Sequence, residues 1–285
     1  MADNKNIIGI DIGGTNIRVG LVQNHRIVRI VSALTPANET QEIVLNTIVS
    51  LIEKFMDTPV DAIGIGVPSI VDVDKGIVYD VVNIPQWKEV HLKAYLENKF
   101  HLPIFVNNDA NCFAAGEKYY GKGKGYGSFV GLILGTGLGA GMIINNRLYE
   151  GKNCGAGEIG NIPYLANNYE YYCSGQFFTG EYSMPASEVA QLALRGNSSA
   201  LQIFNDFGTH VGNMLQAVLY AYDPELIILG GSVSKSFSLF KFSMYKALEK
   251  FIYSKTLSNL KIEISEIENV AIFGAASLFY NNKLL

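Results

Sequence analysis

The chain has 285 residues, enough for two domains of ordinary size or one large one. Hydrophobic residues make up 48% and charged residues 17%, so it buries a sizeable core and is not disordered. The net charge of −4 and the lack of any lysine- or arginine-rich run exclude a nucleic-acid partner, and no apolar stretch reaches the roughly 18 residues of a membrane span. Met1–Asn6 is polar and reads as no signal peptide, so the expected location is cytoplasmic. Three widely spaced cysteines, Cys112, Cys154 and Cys173, contain no C-x-x-C pair. They support neither a disulfide framework nor a four-ligand zinc site, and are expected as free thiols.

In chain order the first hundred residues read β-β-β-α-β-β-β-α-β. Strands are expected at Ile7–Ile12, Ile17–Val22 and Ile27–Leu34. Glu39–Met56 has helical periodicity in Ile43, Leu45, Ile48, Leu51, Ile52 and Phe55. Ala62–Val67 reads as a buried strand, Ile77–Tyr79 as a short edge strand and Leu92–Phe100 as a helix. Ile104–Asn107 is a strand that delivers Asn108 and Asp109 at its C-terminal end, where ligands sit in open α/β sheets. Asp109–Tyr120 reads as a helix stopped by Gly121. A hairpin over Phe129–Ile144 opens a second unit. Helices follow at Ala186–Leu194 and at Ser199–Tyr222, the latter ended by Pro224. Leu226–Leu229 is a strand that turns at Gly230–Gly231–Ser232 into a helix near Phe237–Phe251. Lys261–Ile264 is the last strand, and a terminal helix around Ile272–Tyr280 returns to the first unit.

Two glycine turns stand out: D-I-G-G-T-N at 11–16 and L-G-T-G-L-G at 134–139, each between two strands. Glycine there permits positive φ and brings bare N–H groups toward a ligand, and successive N–H groups form an anion cradle. Taken singly, either turn reads as a plain β-hairpin. The pair differs, because Thr15 and Thr136 stand at the same place after the glycine and each adds a donor. Two such cradles suggest the two walls of a cleft that grips a polyphosphate, with Asp109, between them in sequence, as a base. An Asp at a helix start is also commonly an N-cap. The same β-turn-β design recurs half a chain later, with no linker or low-complexity stretch between.

These residues resemble the ROK family (repressors, open reading frames and sugar kinases) of the actin-like ATPase superfamily, nearly end to end. D-I-G-G-T-N-I-R looks like the first phosphate motif, and G-V-P-S-I-V-D at 66–72 is similar to G-x-P-G-x-V-D with Ser69 for the second glycine. N-I-P-Q-W at 83–87, N-D-A-N-C at 108–112, G-T-G-L-G-A-G at 135–141 and D-P-E-L-I-I-L-G-G-S-V at 223–233 resemble further family segments. One region departs from the pattern. The family's G-E-x-G-H is followed by a cysteine-rich zinc loop. Here G-E-I-G-N at 157–161 is followed after only eight residues by E-Y-Y-C-S-G at 170–175. Asn161 replaces the family's histidine and the cysteine loop is missing.

The resemblance implies an α/β fold of two actin-like, ribonuclease H-like domains with a cleft between them. It places an N-terminal domain at 1–108, completed by a C-terminal helix at about 271–285, and a larger domain at 109–270. It implies an ATP-dependent hexose kinase acting on the 6-OH of glucose or an N-acetylhexosamine, a homodimer with sugar and ATP as its small-molecule partners. Asp109 would be the base. Ser69, Asn108, Asp109, Glu158, Asn161 and Glu170 would bind the sugar. Asp11, Gly13, Gly14, Thr15, Gly135, Thr136, Gly137, Gly230 and Gly231 would bind ATP, with Mg²⁺ near Asp11 and no structural zinc. Taken alone, Glu158 and Glu170 read as solvated loop residues and Asn161 as a turn former. Tyr164, Tyr169, Tyr171 and Tyr172 cluster about the shortened loop, where aromatic packing is expected to replace the metal and hold Glu170. The alternative is a catalytically weak sugar-sensing or regulatory protein of the same family. Only about ten residues precede Asp11, too few for the helix-turn-helix domain of its repressors.

Overall fold

The structure, a computed structural model, describes residues 5–282. Positions 1–4 and the last three positions of the expected 271–285 helix lie outside the described residues. The chain divides into two compact units. The first holds 1–125, 141–156 and 266–285, and the second 126–140 and 157–265.

The first unit opens with β1 (Asn6–Ile12), β2 (Asn16–Gln23), β3 (Arg26–Leu34), α1 (Gln41–Glu53), β4 (Ala62–Val67), β5 (Ile70–Asp72), β6 (Ile77–Tyr79), β7 (Glu89–Val90), α2 (Leu92–Phe100), β8 (Ile104–Asn108) and α3 (Asp109–Tyr120). Its main sheet has the order β3-β2-β1-β4-β8, and β5, β6 and β7 form a small second sheet. The period-2 alternation of a strand sorts β1 onto two faces. Ile8, Ile10 and Ile12 join Val44, Ile48 and Ile52 of α1 in a core that also encloses Phe55 and Trp87. Ile7 faces the other way, with Val22, Ala62, Ile272 and Phe279.

That second face carries a row of glycines. Gly20 of β2, Gly9 of β1 and Gly64 of β4 are register partners across three strands. A Cβ on Gly9 would sit 2.1 Å from the Ile272 carbonyl oxygen, and one on Gly64 1.8 Å from that of Ala275. The terminal helix α10 (Val270–Asn282) therefore lies directly on bare backbone. Glycine inside a strand often marks such a close approach.

Helix α3 packs on the same α10. A Cβ on Gly274 would lie 2.0 Å from the Cys112 carbonyl oxygen. This seat puts α3 in the first unit, so the compact units do not divide at the expected 108/109. Residues 141–156 also return to the first unit.

The second unit begins with β9 (Phe129–Leu134) and β10 (Leu138–Ile144), and the chain crosses to the first unit within β10, which pairs there with β11 (Arg147–Leu148). Then come β12 (Pro163–Tyr164), β13 (Asn167–Asn168), α4 (Tyr169–Cys173), α5 (Gly175–Tyr182), α6 (Ala186–Leu194), α7 (Ser198–Tyr222), β14 (Leu226–Gly230), α8 (Phe237–Leu248), α9 (Ser254–Asn259) and β15 (Lys261–Ile264). The all-apolar β14 runs parallel to β9 on one side and β15 on the other. Helix α7 starts at an Asn197 cap and stops at Asp223 in the left-handed region, with Pro224 next. Its Gly212 lets the Met244 backbone of α8 approach to 2.4 Å of a missing Cβ.

The expected helices at 39–56 and 237–251 are shorter, at 41–53 and 237–248. Helices α4, α5 and α9 and the short strands β5, β7, β11, β12 and β13 were not expected; each is too short for a periodicity to emerge. No helix among the described residues is long and apolar enough to cross a membrane.

Candidate functional site

The first glycine turn belongs to the first unit. It closes with the Gly13 N–H donating to Asn16 O at 2.9 Å, and Thr35 Oγ1 donating to Gly13 O at 2.6 Å. Neither Gly13 nor Gly14 adopts positive φ, and the same holds for Gly135 and Gly137. The expectation of left-handed backbone is therefore wrong for both turns. What excludes a side chain from Gly14 is space: its Cβ would lie 2.5 Å from Cβ of Asn83, in the N-I-P-Q-W segment. Thr15 is exposed at the tip. Asp11, half-buried at the end of β1, is held by Arg18, whose Nε and Nη2 both donate to Oδ2 at 3.1 and 2.6 Å. Sequence reasoning missed Arg18, although I-R directly follows the turn.

Strand β8 ends at Asn108, and this residue caps α3. Its Oδ1 accepts from the N–H groups of Ala110 and Asn111 at 2.8 and 3.4 Å. Asp109 is the first helical residue, so the N-cap reading of Asp109 is corrected. Its Oδ1 accepts from its neighbour Ala110 N at 2.8 Å. The helix N-terminus favours a charged carboxylate there. Asn108 Nδ2 donates to Ser69 O at 3.2 Å, and Ser69 Oγ donates to Tyr79 O. Ser69, Asn108 and Asp109 thus form one group.

Behind them lies a buried polar network that the sequence did not suggest. Asn107, with 1% exposure, donates from Nδ2 to Glu150 Oε1 at 2.6 Å. Its Oδ1 accepts from Asn108 N at 2.8 Å and Asn111 Nδ2 at 2.9 Å, with Cys154 Sγ at 3.4 Å. Burial pushes the Glu150 carboxyl above its ordinary range, against the lowering effect of the Asn107 hydrogen bond. Glu150, Asp72, Tyr79 and Cys154 border a cavity of about 510 Å³.

The second glycine turn belongs to the second unit. Here the missing side chain of Gly137 makes room for Glu170, since a Cβ would be 2.6 Å from its Oε2. Glu170, on α4, is no solvated loop residue. Its Oε2 accepts from Leu138 N and its Oε1 from Gln176 Nε2, both at 3.0 Å. The C-S-G segment fastens the other side: Gly175 N donates to Gly135 O at 2.7 Å, and Ser174 Oγ donates to Thr136 O at 3.1 Å. Gly135, Thr136 and Gln176 line a cavity of about 490 Å³ together with Thr179, Ser187 and the Ser232–Ser236 turn after β14. Gly231 has φ +88 and lies against the backbone of Leu134, so the G-G pair shapes that turn from beneath. Thr179, Ser187 and Lys235 of this cavity were missed, because they follow no motif.

Glu158 and Asn161 are both exposed and face each other, with Asn161 Nδ2 donating to Glu158 Oε2 at 2.8 Å. The expected tyrosine cluster is present. Tyr164 stacks on Tyr169 at 4.5 Å and meets Tyr172 edge-on at 5.5 Å. Two residues of α7, His210 and Asn213, complete it through the Tyr164 hydroxyl.

The cysteines do not fit a zinc centre. Cys154 faces asparagines, Cys112 lies against Gly66, and Cys173 is wholly buried, which pushes its thiol well above the ordinary range. For a magnesium ion, which takes oxygen ligands, the Asp11 carboxylate is a fitting donor.

The ROK family profile matches residues 7–282. An N-acetyl-D-glucosamine kinase from Haemophilus influenzae is 30% identical, over 95% of this chain and 98% of that protein. A xylose repressor from Bacillus subtilis is 27% identical, over 86% of this chain and 68% of its own length. A ROK family glucokinase from Streptomyces griseus, solved with glucose and AMPPNP, superposes with a TM-score of 0.81 at 27% identity, covering 96% of this chain and 98% of that one. With both glycine turns, the N-D-A-N-C segment and the two-unit α/β architecture accounted for along nearly its whole length, the chain belongs to the ROK family.

Proposed function

We propose that the chain is an ATP-dependent sugar kinase that phosphorylates a hexose hydroxyl, the 6-OH of glucose or of an N-acetylhexosamine. The observation that carries this is the N-D-A-N-C segment: Asn108 ends β8 and caps α3, and Asp109 follows as the first residue of that helix, the position at which the family resemblance has its base. In the proposed reaction Asp109 takes the proton of the sugar hydroxyl, whose oxygen attacks the γ-phosphorus. The bond from γ-phosphorus to the bridging oxygen breaks, and ADP leaves. Asn108, Ser69, Glu158, Asn161 and Glu170 hold the sugar. Gly13, Gly14, Thr15, Gly135, Thr136 and Gly137 hold phosphate. The 490 Å³ cavity, with Gly230 and Gly231 beneath its Ser232–Ser236 wall, takes the nucleoside. Mg²⁺, held through Asp11, would neutralise charge on the phosphates. The chain works in the cytoplasm, as its three free cysteines suit, and as a homodimer.

A second reading is a sugar sensor or regulator. The mutual engagement of Glu158 and Asn161 favours it, because a carboxylate satisfied by its neighbour is less ready for a ligand. A coupled ATP-consumption assay over glucose, mannose, fructose, N-acetylglucosamine and N-acetylmannosamine separates the two. Turnover with one of these sugars supports the kinase. Tight sugar binding without ATP consumption supports the sensor.

A further inference from the structure

We propose that Tyr164, His210 and Asn213 form a clamp that positions α4 and, through Glu170, holds the second glycine turn in shape. They are positioning residues, which act through α4 and Glu170. Only the effect on nucleotide use rests on the sugar-kinase reading.

The need for a clamp follows from the length of α4. Its five residues, Tyr169–Cys173, make little more than one turn, too short to be stable alone. Yet α4 carries Glu170, whose carboxylate joins Leu138 N to Gln176 Nε2 at 3.0 Å each. Asn168 caps the helix through Tyr171 N at 2.9 Å. Tyr169 N donates to Ile162 O at 3.1 Å and the Tyr171 hydroxyl to Glu181 Oε1 at 2.9 Å, and aromatic contacts add to these. Tyr169, immediately before Glu170, stacks on Tyr164 with an interplanar angle of 20°. Tyr172, two residues after it, packs on His210 with ring centroids 4.8 Å apart. Both ends of the helix are thereby tied to α7, a helix of 25 residues.

Hydrogen-bond accounting specifies the state of the clamp. A phenol offers one proton and accepts through its lone pairs. Asn213 Nδ2 donates to the Tyr164 hydroxyl at 2.8 Å. The hydroxyl proton is then directed to His210 Nδ1, 3.2 Å away, which can accept only when unprotonated. The groups facing His210 are Tyr164, Tyr172 and Phe177 in direct ring contact, with Asp206 on its own helix and Glu181 on α5. Burial lowers its pKa and the two carboxylates oppose this, with burial the larger effect. A protonated imidazole would have to turn a donor toward a hydroxyl whose own proton then lacks its acceptor.

The test is amide hydrogen exchange on the full chain, read at Leu138 and at residues 169–173 and corrected for intrinsic rates. Tyr164→Phe keeps the ring and removes the hydroxyl. His210→Leu removes the acceptor, and His210→Gln restores an uncharged one. At pH 7 both Tyr164→Phe and His210→Leu are expected to speed Leu138 exchange by about tenfold, the scale of one hydrogen bond. His210→Gln keeps protection. The wild type loses it as pH falls through the folded His210 value, which burial sets below 6.5, and His210→Gln does not. Unchanged Leu138 protection in Tyr164→Phe and His210→Leu overturns the proposal, as does a loss shared equally by the amides of β14. If the sugar panel shows no turnover, the kinase reading fails while the exchange result still decides the clamp. If it shows turnover, Tyr164→Phe raises the KM for ATP several-fold and leaves kcat within about twofold.

Discussion

Asp109 and Glu150 are two carboxylates set to different ends by their surroundings. Asp109 stands at a helix start, where Asn108 has taken over the capping. Asp109→Asn keeps the shape and the acceptor for Ala110 N, but the amide cannot take a proton. Phosphoryl transfer is expected to fall by about 10²–10⁴ while sugar binding persists in part, as turnover assays and calorimetric sugar titration will check. Glu150 is different, because burial raises its pKa above the ordinary 4.5. The folded state binds that proton more tightly than the unfolded chain does. Its contribution is favourable below 4.5 and is lost as pH rises through the folded value. Glu150→Gln keeps an oxygen for Asn107 and removes the charge. It is expected to raise the melting temperature at pH 7.5 and to leave it unchanged at pH 4, as calorimetry at the two values will measure.

At the scale of elements, the chain uses missing side chains to bring backbone against backbone. The Gly20–Gly9–Gly64 row admits α10, and Gly274 admits α3. Gly14 and Gly137 serve the two turns by making room for side chains, those of Asn83 and Glu170, and not by dihedral freedom. Gly64→Ala places a methyl 1.8 Å from a backbone oxygen, which cannot swing aside as a side chain would. It is expected to destabilise the protein by about 1–3 kcal/mol or more, read as a lower urea midpoint with an unchanged slope. The surface change Lys246→Ala in α8 serves as the comparison and is expected to leave the midpoint nearly unmoved.

At the scale of the molecule, the buried histidine gives stability a pH dependence. His210 has its folded pKa below 6.5, so its neutral form is the one that folding favours. That contribution is complete above 6.5 and is lost as pH falls through the folded value. The melting temperature of the wild type is expected to drop below pH 6.5 more steeply than that of His210→Gln. Metal analysis of the purified protein is expected to find no stoichiometric zinc, since no three His, Cys, Asp or Glu side chains among the described residues gather where they could hold a metal ion.

Most of the regular elements were legible in the chain, because long apolar periodicities and strand-ending glycines are local signals. Strand β4 and helices α2, α3 and α6 fall at the expected residues. The turns and the segments resembling the ROK family were legible for the same reason: their residues are adjacent. What the sequence did not reveal is set by partners distant along it. Asn107 and Glu150 are 43 residues apart, and Tyr164 and His210 are 46 apart. No local pattern announces such pairs, which exist only after the sheet and α7 have formed. The seat of α3 on α10 likewise depends on glycines 158 positions apart, Gly116 and Gly274. Residue order alone thus determined the longer strands, the long helices, the glycine turns and Asp109 at a helix start. Tertiary packing decided which asparagine capped that helix, why Gly14 and Gly137 had to be glycine and what held Glu170, because each depends on a neighbour brought in by the fold.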